Sequence, residues 1–238
     1  MNVSPPGPRA SAALAWAGGA LFVVALAWCF AGYLFGMPAA GPGIATPFTS
    51  FVINAGLFTI FALHHSVLAR SGVKRRLVTL VPPRFERSLY VWIASLLLIA
   101  VMVLWQPLPG TLYGHRGLAA VPHWLLVSAG FWITVRAAGV LDPLELAGIR
   151  QVLGTSKASS FRVIGPYHLV RHPIYLGWML IVFGAPLMTA TRMEFAVVSS
   201  LYLTVAVPFE ERALVDAFGD TYREYQRRVR WRIVPGVW

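Results

Sequence analysis

Long apolar stretches alternate with short basic segments along the chain, and this alternation predicts a bundle of membrane-crossing helices. The first four stretches are long enough, as helices, to cross a hydrocarbon core of about 30 Å. The last two contain only 17 and 15 residues, and we expect them to form a hairpin around a tight connection at residues 191–194. The six stretches occupy residues 11–36, 48–68, 88–105, 121–141, 174–190 and 195–209. We therefore predict five or six membrane-spanning helices.

The composition leads to the same fold class. Hydrophobic residues make up 57% of the 238 residues and charged residues only 12%, against about a quarter in soluble domains. A soluble fold of this size could not bury so much apolar surface. We therefore interpret the chain as an all-α, polytopic integral membrane bundle with one integrated domain. Residues 1–141 supply four N-terminal helices, and residues 142–238 carry the polar loops, the hairpin and a cytoplasmic amphipathic C-terminal helix.

The basic residues orient the predicted helices. The chain carries 20 Lys and Arg but only 9 Asp and Glu, a formal net charge of +11. In the predicted topology 17 of the 20 basic residues lie on one side of the membrane, whereas Arg116 and Arg192 lie on the other and Arg136 lies within a span. Because basic loops face the cytoplasm, both termini are predicted to be cytoplasmic. This topology explains the basic composition without a nucleic-acid partner, and we expect none.

A few polar side chains fall inside or at the ends of the apolar stretches. Asn54 and Gln106 are expected to form interhelical hydrogen bonds. Arg136 is costly within a span unless it is paired or its side chain extends to the membrane interface, and Asp142 and Glu145 are its candidate partners.

The densest polar segment, GPYHLVRHPIYLG at residues 165–177, precedes the fifth apolar stretch. Pro173 favours the first position of a helix, where its missing N–H costs nothing. The helix start would then present free N–H groups and a positive dipole end beside Arg171 and His172, which favours an anion such as a carboxylate. Gly177, one turn further, would let a flat ligand approach the helix backbone. The alternative is a basic juxtamembrane anchor.

A second polar signal, Glu210-Glu211, lies where the sixth stretch meets the cytoplasm. Adjacent carboxylates repel each other, so hydration or a cationic or hydroxyl-bearing ligand is needed to stabilise them. An apolar helical stripe follows, formed by Leu214, Phe218, Tyr222, Tyr225 and Val229. The alternative is a hydrated acidic start to an amphipathic surface helix.

The predicted hairpin brings the two signals together, because both of its outer ends lie at the same membrane face. Arg171 and His172 would then lie near Glu210 and Glu211, with aromatic residues and glycine between them. Such a site suits a zwitterion that carries a carboxylate, an ammonium, ribose hydroxyls and a flat base. S-adenosylmethionine is such a molecule, although the spacing alone does not name it.

The two signals resemble the motifs of the membrane methyltransferase superfamily that includes isoprenylcysteine carboxyl methyltransferases and phospholipid N-methyltransferases. The family pattern is G-P-Y…R-H-P-x-Y-x-G, a helical hairpin, and then E-E-x-x-L…F-G-x-x-Y-x-x-Y. The matching residues here are Gly165, Pro166, Tyr167, Arg171, His172, Pro173, Tyr175, Gly177, Glu210, Glu211, Leu214, Phe218, Gly219, Tyr222 and Tyr225. The match is specific, because two separate motifs occur in the right order at hairpin spacing.

Three earlier segments narrow the resemblance to the nurim-like branch, to which bacterial methanethiol S-methyltransferases belong. They are HHSVLAR at residues 64–70, PPRFERSLYV at residues 82–91 and LELAGIRQ at residues 144–151. The resemblance implies an enzyme of a bacterial inner membrane that transfers a methyl group from S-adenosylmethionine to a small thiol, converting methanethiol to dimethyl sulfide. One departure is that Val229 is followed by Arg230, where the family tail commonly has proline.

Carried over residue by residue, the resemblance implies roles at both motifs. Cofactor binding or orientation falls to Arg171, His172, Tyr175, Glu210 and Glu211, and the shape of the pocket to Tyr167, His168, Gly177, Tyr222 and Tyr225. A thiol must lose its proton to become a nucleophile. His172, Arg171 and His65 are the catalytic candidates for that step, followed by His64. No spacing of ligand residues indicates a metal site.

Two alternatives remain open at this point. One is the same cofactor chemistry on another acceptor, such as the carboxylate of an isoprenylated cysteine or the amine of a lipid headgroup. The other is a non-catalytic, nurim-like membrane protein that retains the fold. The expected partners are membrane lipids and a small or lipid-like methyl acceptor, whose identity the sequence does not give, and the sequence also leaves the oligomeric state open.

Overall fold

The computed structural model describes residues 7–37, 46–68, 81–156 and 161–238. Within these ranges, five helices are long and apolar enough to cross a membrane. The prediction of an all-α polytopic membrane bundle is therefore confirmed.

The helices of the described ranges follow the apolar stretches, with irregular turns between them. They are α1 (Pro8–Ala31), α2 (Pro47–Leu68), α3 (Pro83–Leu104), α4 (Val121–Ala138), α5 (Pro143–Leu146), α6 (Ile149–Leu153), α7 (Pro173–Gly184), α8 (Ala190–Phe218) and α9 (Asp220–Arg228). A π-helical turn, Gly32–Gly36, extends α1, and 3₁₀ turns at Gly117–Ala120 and Gly165–His168 precede α4 and α7. Strands β1 (Thr111–Gly114) and β2 (Leu187–Thr189) complete the fold.

The last two apolar stretches fold differently from the prediction. Helix α7 has 12 residues, about 18 Å, and is too short to cross the core, whereas α8 has 29 residues and is about 44 Å long. Residues 191–194, predicted to be the connection, instead form the first turn of α8. The prediction of a connection there was wrong: Arg192 and Glu194 are buried and hydrogen-bonded inside the protein, so the helix includes them.

The connection between α7 and α8 contains the short strand β2, which pairs with β1 in an antiparallel two-stranded sheet. The Cα partners are Thr111 with Thr189, Tyr113 with Met188, and Gly114 with Leu187. The Thr189 hydroxyl then caps α8 by accepting a hydrogen bond from the Arg192 amide at 3.2 Å.

The described residues group into two compact units, neither of which is continuous in sequence. The first unit contains those of Met1–Gly32, Gly56–Trp105 and Leu141–Ala158. The second contains those of Tyr33–Ala55, Gln106–Val140 and Ser159–Trp238. Helix α2 therefore contributes to both units, and α7, α8 and α9 belong entirely to the second.

In the first unit, α1 packs against α3, and α6 packs against both helices. Gly148, with φ of +76°, allows the chain to pass close to α3, since a Cβ there would lie 2.5 Å from the amide nitrogen of Ser88. Beyond this glycine, Ile149 is buried with Ala15 and Ala147.

Arg136 belongs to the second unit, whereas Asp142 and Glu145, the two carboxylates expected to pair with it, belong to the first. Asp142 pairs with Arg150, with Nε 2.6 Å from Oδ2, and also caps α5. Glu145 accepts a hydrogen bond from Gln151 Nε2 at 2.8 Å. The two carboxylates expected to pair with Arg136 therefore have partners in the first unit, and the Arg136 side chain is exposed.

In the second unit, Asn54 of α2 hydrogen-bonds to Glu194 of α8, as its position predicted, and also to the backbone of Gln106, just beyond the end of α3. Its Oδ1 accepts from the Gln106 amide at 2.7 Å, and its Nδ2 donates to the Gln106 carbonyl at 2.9 Å. The same Nδ2 donates to Glu194 Oε2 at 2.7 Å. One amide side chain therefore joins the first turns of α8 to the segment that follows α3.

Candidate functional site

The segment before α7 turns sharply and then starts the helix where the sequence predicted. Gly165 has φ of +59°, a conformation that favours glycine, and opens the 3₁₀ turn Gly165–His168. Helix α7 begins at Pro173, with His172 as its N-cap residue. Arg171 and His172 are thereby placed at the start of α7, and both are buried.

Arg171 forms a buried ion pair with Glu211 of α8. Its Nε lies 2.6 Å from Glu211 Oε1, and both side chains are 7% exposed. The other carboxylate oxygen of Glu211 accepts from Gln226 Nε2 at 3.2 Å and lies 3.5 Å from Arg232 Nε. A buried carboxylate needs such partners, because removing an ion from water costs several kcal/mol.

The segment after α9 docks against Arg171 through its backbone. The Arg171 guanidinium donates from Nη1 to the carbonyls of Val229 at 2.7 Å and Arg230 at 3.0 Å. The amides of Arg171 and His172 donate to the carbonyls of Trp231 at 2.9 Å and Arg232 at 2.8 Å. The chain's own C-terminal segment therefore occupies the two amides that immediately precede α7.

His172 lies between the two adjacent carboxylates. Its Nδ1 is 3.5 Å from Glu210 Oε2, and its Nε2 is 3.4 Å from Glu211 Oε1. The imidazole stacks on the Tyr175 ring, with centroids 5.4 Å apart, and the Tyr175 hydroxyl donates to Glu210 Oε1. His172 Nε2 is buried and makes no hydrogen bond in the described part of the chain. Glu210, Glu211, the His172 imidazole and the Tyr175 ring therefore belong to one network.

Two buried tyrosines of α9 border this network. The Tyr225 hydroxyl donates to the Tyr167 carbonyl at 2.7 Å, which ties α9 to the 3₁₀ turn before α7. The Tyr222 hydroxyl is buried and has no hydrogen-bond partner among the described residues. Burial and the neighbouring Glu211 carboxylate raise the pKa of the Tyr222 phenol, so the hydroxyl keeps its proton. Buried hydroxyls are rarely left unpaired, so this one is available to a ligand.

A cavity of about 310 Å³ opens beside the ion pair. Of the sequence-predicted residues, only Glu211 lines it. The other lining residues are Pro208, Arg212, Val215, Asp216, Gln226 and Arg232. These residues lie outside the two sequence motifs, so neither motif indicated them. The spacing from Glu211 could have indicated Val215, one turn further along α8, but no pattern indicated Arg232.

The remaining predicted residues take different places. Gly177 packs against α4, because a Cβ there would lie 2.2 Å from Thr134 Oγ1 and 2.7 Å from the Gly130 carbonyl. The structure thus assigns this glycine to helix packing rather than to approach by a ligand. His168 is exposed. His64 lies near the end of α2, where its ring stacks on Tyr90, and neither ring nitrogen has a hydrogen-bond partner among the described residues. The side chain of His65 lies outside the described part of the chain.

Comparison with known proteins gives this geometry a chemical context. The chain is 37% identical to methanethiol S-methyltransferase 2 of Bradyrhizobium diazoefficiens, over 76% of this chain and 71% of that protein. It is 38% identical to methanethiol S-methyltransferase of Mycobacterium tuberculosis, over 78% of this chain and 79% of that protein. The chain belongs to the methanethiol S-methyltransferase family.

Two further comparisons place this family among its neighbours. The family model for phospholipid methyltransferase matches residues 124–221, which include residues 165–177 and both Glu210 and Glu211. Nurim of Xenopus laevis is 32% identical over 64% of this chain and 58% of that protein. No solved structure matches the chain. The resemblance to the nurim-like branch is confirmed, and the chain is an integral membrane methyltransferase.

Proposed function

We propose that this methyltransferase moves the methyl group of S-adenosylmethionine to methanethiol and forms dimethyl sulfide. The single observation that carries the proposal is the network of Arg171, His172 and Glu211, all buried, with the half-exposed Glu210, beside a cavity on a chain of this family. Methanethiol is proposed as the acceptor because both bacterial relatives are named methanethiol S-methyltransferases. The network provides charged groups that could bind the methyl donor and a histidine that could accept the proton of the thiol.

The residues present fit S-adenosylmethionine. The Tyr222 hydroxyl and His172 Nε2 are buried polar atoms without hydrogen-bond partners among the described residues, so a ligand with polar groups would satisfy them. Glu211 and Asp216 bring negative charge to the cavity, and Arg212 and Arg232 bring positive charge. A zwitterion that also bears hydroxyls matches this mixture. Glu211, Tyr222 and His172 would hold it in our proposal.

When bound, the cofactor supplies an electrophilic methyl group, so the protein has only to position the reactants and help form the nucleophile. Arg171 fixes the Glu211 carboxylate through its Nε. Tyr175 and Glu210 orient the imidazole of His172 by stacking and by proximity to Nδ1. His172 Nε2, which lies 3.4 Å from Glu211 Oε1, accepts the proton of the thiol. Burial of these groups excludes water from the step.

The orientation in the membrane belongs to the same proposal. The excess of Arg on the side that carries the C-terminal segment favours a cytoplasmic location for the site and for both termini. The bacterial relatives favour the inner membrane. Joining a reporter enzyme to either end and testing its accessibility in intact cells checks this orientation, and an external reporter would contradict it.

The acceptor can be tested directly. Purified protein in nanodiscs, given methyl-labelled S-adenosylmethionine and methanethiol, should release labelled dimethyl sulfide into the headspace, where gas chromatography detects it. Farnesylcysteine and phosphatidylethanolamine serve as competing acceptors, the second because the matched family model describes phospholipid methyltransferases. Label found in lipid or in farnesylcysteine, with no volatile sulfide, would replace methanethiol as the acceptor.

A matched pair of variants links this activity to the site. Glu211→Gln removes the charge of the buried carboxylate but keeps an oxygen that can accept from Arg171. Glu224→Gln makes the same chemical change at an exposed position of α9. We expect the first variant to lose most of the activity and the second to keep it. Equal activities would remove Glu211 from the proposed site.

A further inference from the structure

Two arginines contact the Glu211 carboxylate, and the structure gives them different surroundings. Arg171 uses Nε for Glu211 and Nη1 for two backbone carbonyls, and its side chain is only 7% exposed. It does not line the cavity of about 310 Å³. Arg171 is therefore a positioning residue that holds Glu211 and the C-terminal segment in place.

Arg232 faces the cavity and is 35% exposed. Its backbone is fixed on both sides, because its amide donates to the Trp238 carbonyl at 2.9 Å and its own carbonyl accepts from the His172 amide at 2.8 Å. Its guanidinium lies over the Trp238 ring, 4.9 Å from the centroid. The stacking on Trp238 and the backbone hydrogen bonds together pre-organise the Arg232 guanidinium at the cavity wall.

The contact between Arg232 and Glu211 leaves capacity for another anion. Nε of Arg232 lies 3.5 Å from Glu211 Oε2, longer than the 2.6 Å of the Arg171 pair. A guanidinium carries five N–H donors in a planar fork that matches a carboxylate with two parallel hydrogen bonds. Among the cavity-lining residues, Arg212 is the other cation, and its guanidinium lies 5.8 Å from the Phe209 ring centroid.

We propose that Arg232 binds the carboxylate of the amino-acid end of the methyl donor, and that Asp216 and Glu211, which line the same cavity, complement its ammonium. The proposal rests on the proposed function and deepens it, because it assigns one end of the cofactor to one residue. It also gives a role to the Arg230-Trp231-Arg232 segment, which departs from the family tail at Arg230. Arg171, the cation of the family motif, then has no direct contact with the donor carboxylate.

The test compares two ligands that differ only in this carboxylate. Titration calorimetry measures the binding of S-adenosylhomocysteine and of its decarboxylated analogue to the full-length protein in nanodiscs. For the unmodified protein we expect the analogue to bind about 10- to 150-fold more weakly, as a charge-assisted pair implies. For Arg232→Gln both ligands should bind equally, at the affinity that the analogue has for the unmodified protein.

Three further variants keep the assignment falsifiable. Arg230→Gln removes a neighbouring exposed arginine that does not line the cavity, and it should keep the full difference between the ligands. Arg232→Lys should keep part of the affinity difference between the ligands, which shows that the site is intact. Arg212→Gln should keep the full difference. The full difference retained in Arg232→Gln, or lost instead in Arg212→Gln, would overturn the assignment to Arg232. Failure of the unmodified protein to bind either ligand would overturn the proposed cofactor itself.

Discussion

The helical hairpin of α7 and α8 has a buried arginine at each end, and the two arginines are stabilised in different ways. At the ion-pair end, defined by residues 165–175 and 207–232, Arg171 pairs with Glu211. At the connection end, defined by residues 185–194, Arg192 donates only to backbone carbonyls in the contacts seen among the described residues. Its Nε, Nη1 and Nη2 donate to the carbonyls of Tyr33, Leu187 and Leu34 at 2.8, 2.7 and 2.9 Å.

Both ends also bury a carboxyl group. Glu211 accepts from two different side chains and borders the cavity. Glu194 accepts from Asn54, which is itself held by the Gln106 backbone. A buried charged residue therefore does not by itself indicate a ligand-binding site. A charge tied to backbone carbonyls fixes the fold, whereas a network of opposite charges beside a cavity can exchange partners with a ligand.

The largest effect is expected from breaking the ion pair. Arg171→Met leaves the Glu211 carboxylate buried without its strongest partner and releases two carbonyls. We expect the free energy of unfolding to fall by about 3–5 kcal/mol, measured by denaturation in detergent. Adding Glu211→Gln should recover part of that loss, because the unpaired charge is then absent. Strictly additive losses would mean that the two residues do not form a pair.

Arg192→Met should be the next most costly change. Three carbonyls, one buried and two partly buried, lose their donor, and we expect a loss of about 3 kcal/mol in the same denaturation measurement. The exposed Arg116→Met serves as the control and should change stability little. Calorimetry on the folded Arg192→Met protein should show unchanged binding of S-adenosylhomocysteine. A weakened affinity would mean that the connection end also takes part in binding.

Gly177→Ala should destabilise the protein by about 1–3 kcal/mol, because the new Cβ would overlap Thr134 and the Gly130 backbone. Gly56→Ala is the matched control, since a Cβ at this helical glycine meets nothing within 4 Å. Thermal unfolding in detergent measures both changes. Loss of cofactor affinity without loss of stability would instead restore Gly177 to the ligand site.

The smallest effect is expected from removing one hydroxyl at each end. Tyr175→Phe removes the donor to Glu210, and the KM for S-adenosylmethionine should rise by about 5- to 10-fold, the cost of one hydrogen bond near 1 kcal/mol. Tyr113→Phe, at the connection end, removes a hydrogen bond to the Phe183 carbonyl. Its KM should not change. Steady-state kinetics compares them, and equal KM values would remove Tyr175 from the site.

The sequence predicted the features that depend on long apolar stretches or on the two sequence motifs, namely the helices and the residues of the network. The apolar stretches located the helices, because burial in lipid requires continuous apolar length. Pro173 located the start of α7, because proline lacks the N–H that a helix interior needs. The motif residues Arg171, His172, Tyr175, Glu210 and Glu211 do meet in one network.

The parts that sequence reasoning missed depend on tertiary contacts. Arg192 and Glu194 lie in the segment predicted to be a tight connection, but carbonyls and an amide from distant segments satisfy them inside the protein. Arg232 carries no signal of its own, because its position depends on backbone hydrogen bonds to His172 and Trp238. Gly177 had two physical explanations, close helix packing and approach by a ligand, which the sequence could not separate.

The position of the methyl donor on the chain tests the central claim most directly. Labelled S-adenosylmethionine can be photo-crosslinked to the protein in nanodiscs, and mass spectrometry can then locate the labelled peptide. We predict label within residues 165–175 or 207–232, strongly reduced by Glu211→Gln and unchanged by Glu224→Gln. Label confined to residues 83–104 of α3, or label that Glu211→Gln leaves unchanged, would contradict the account.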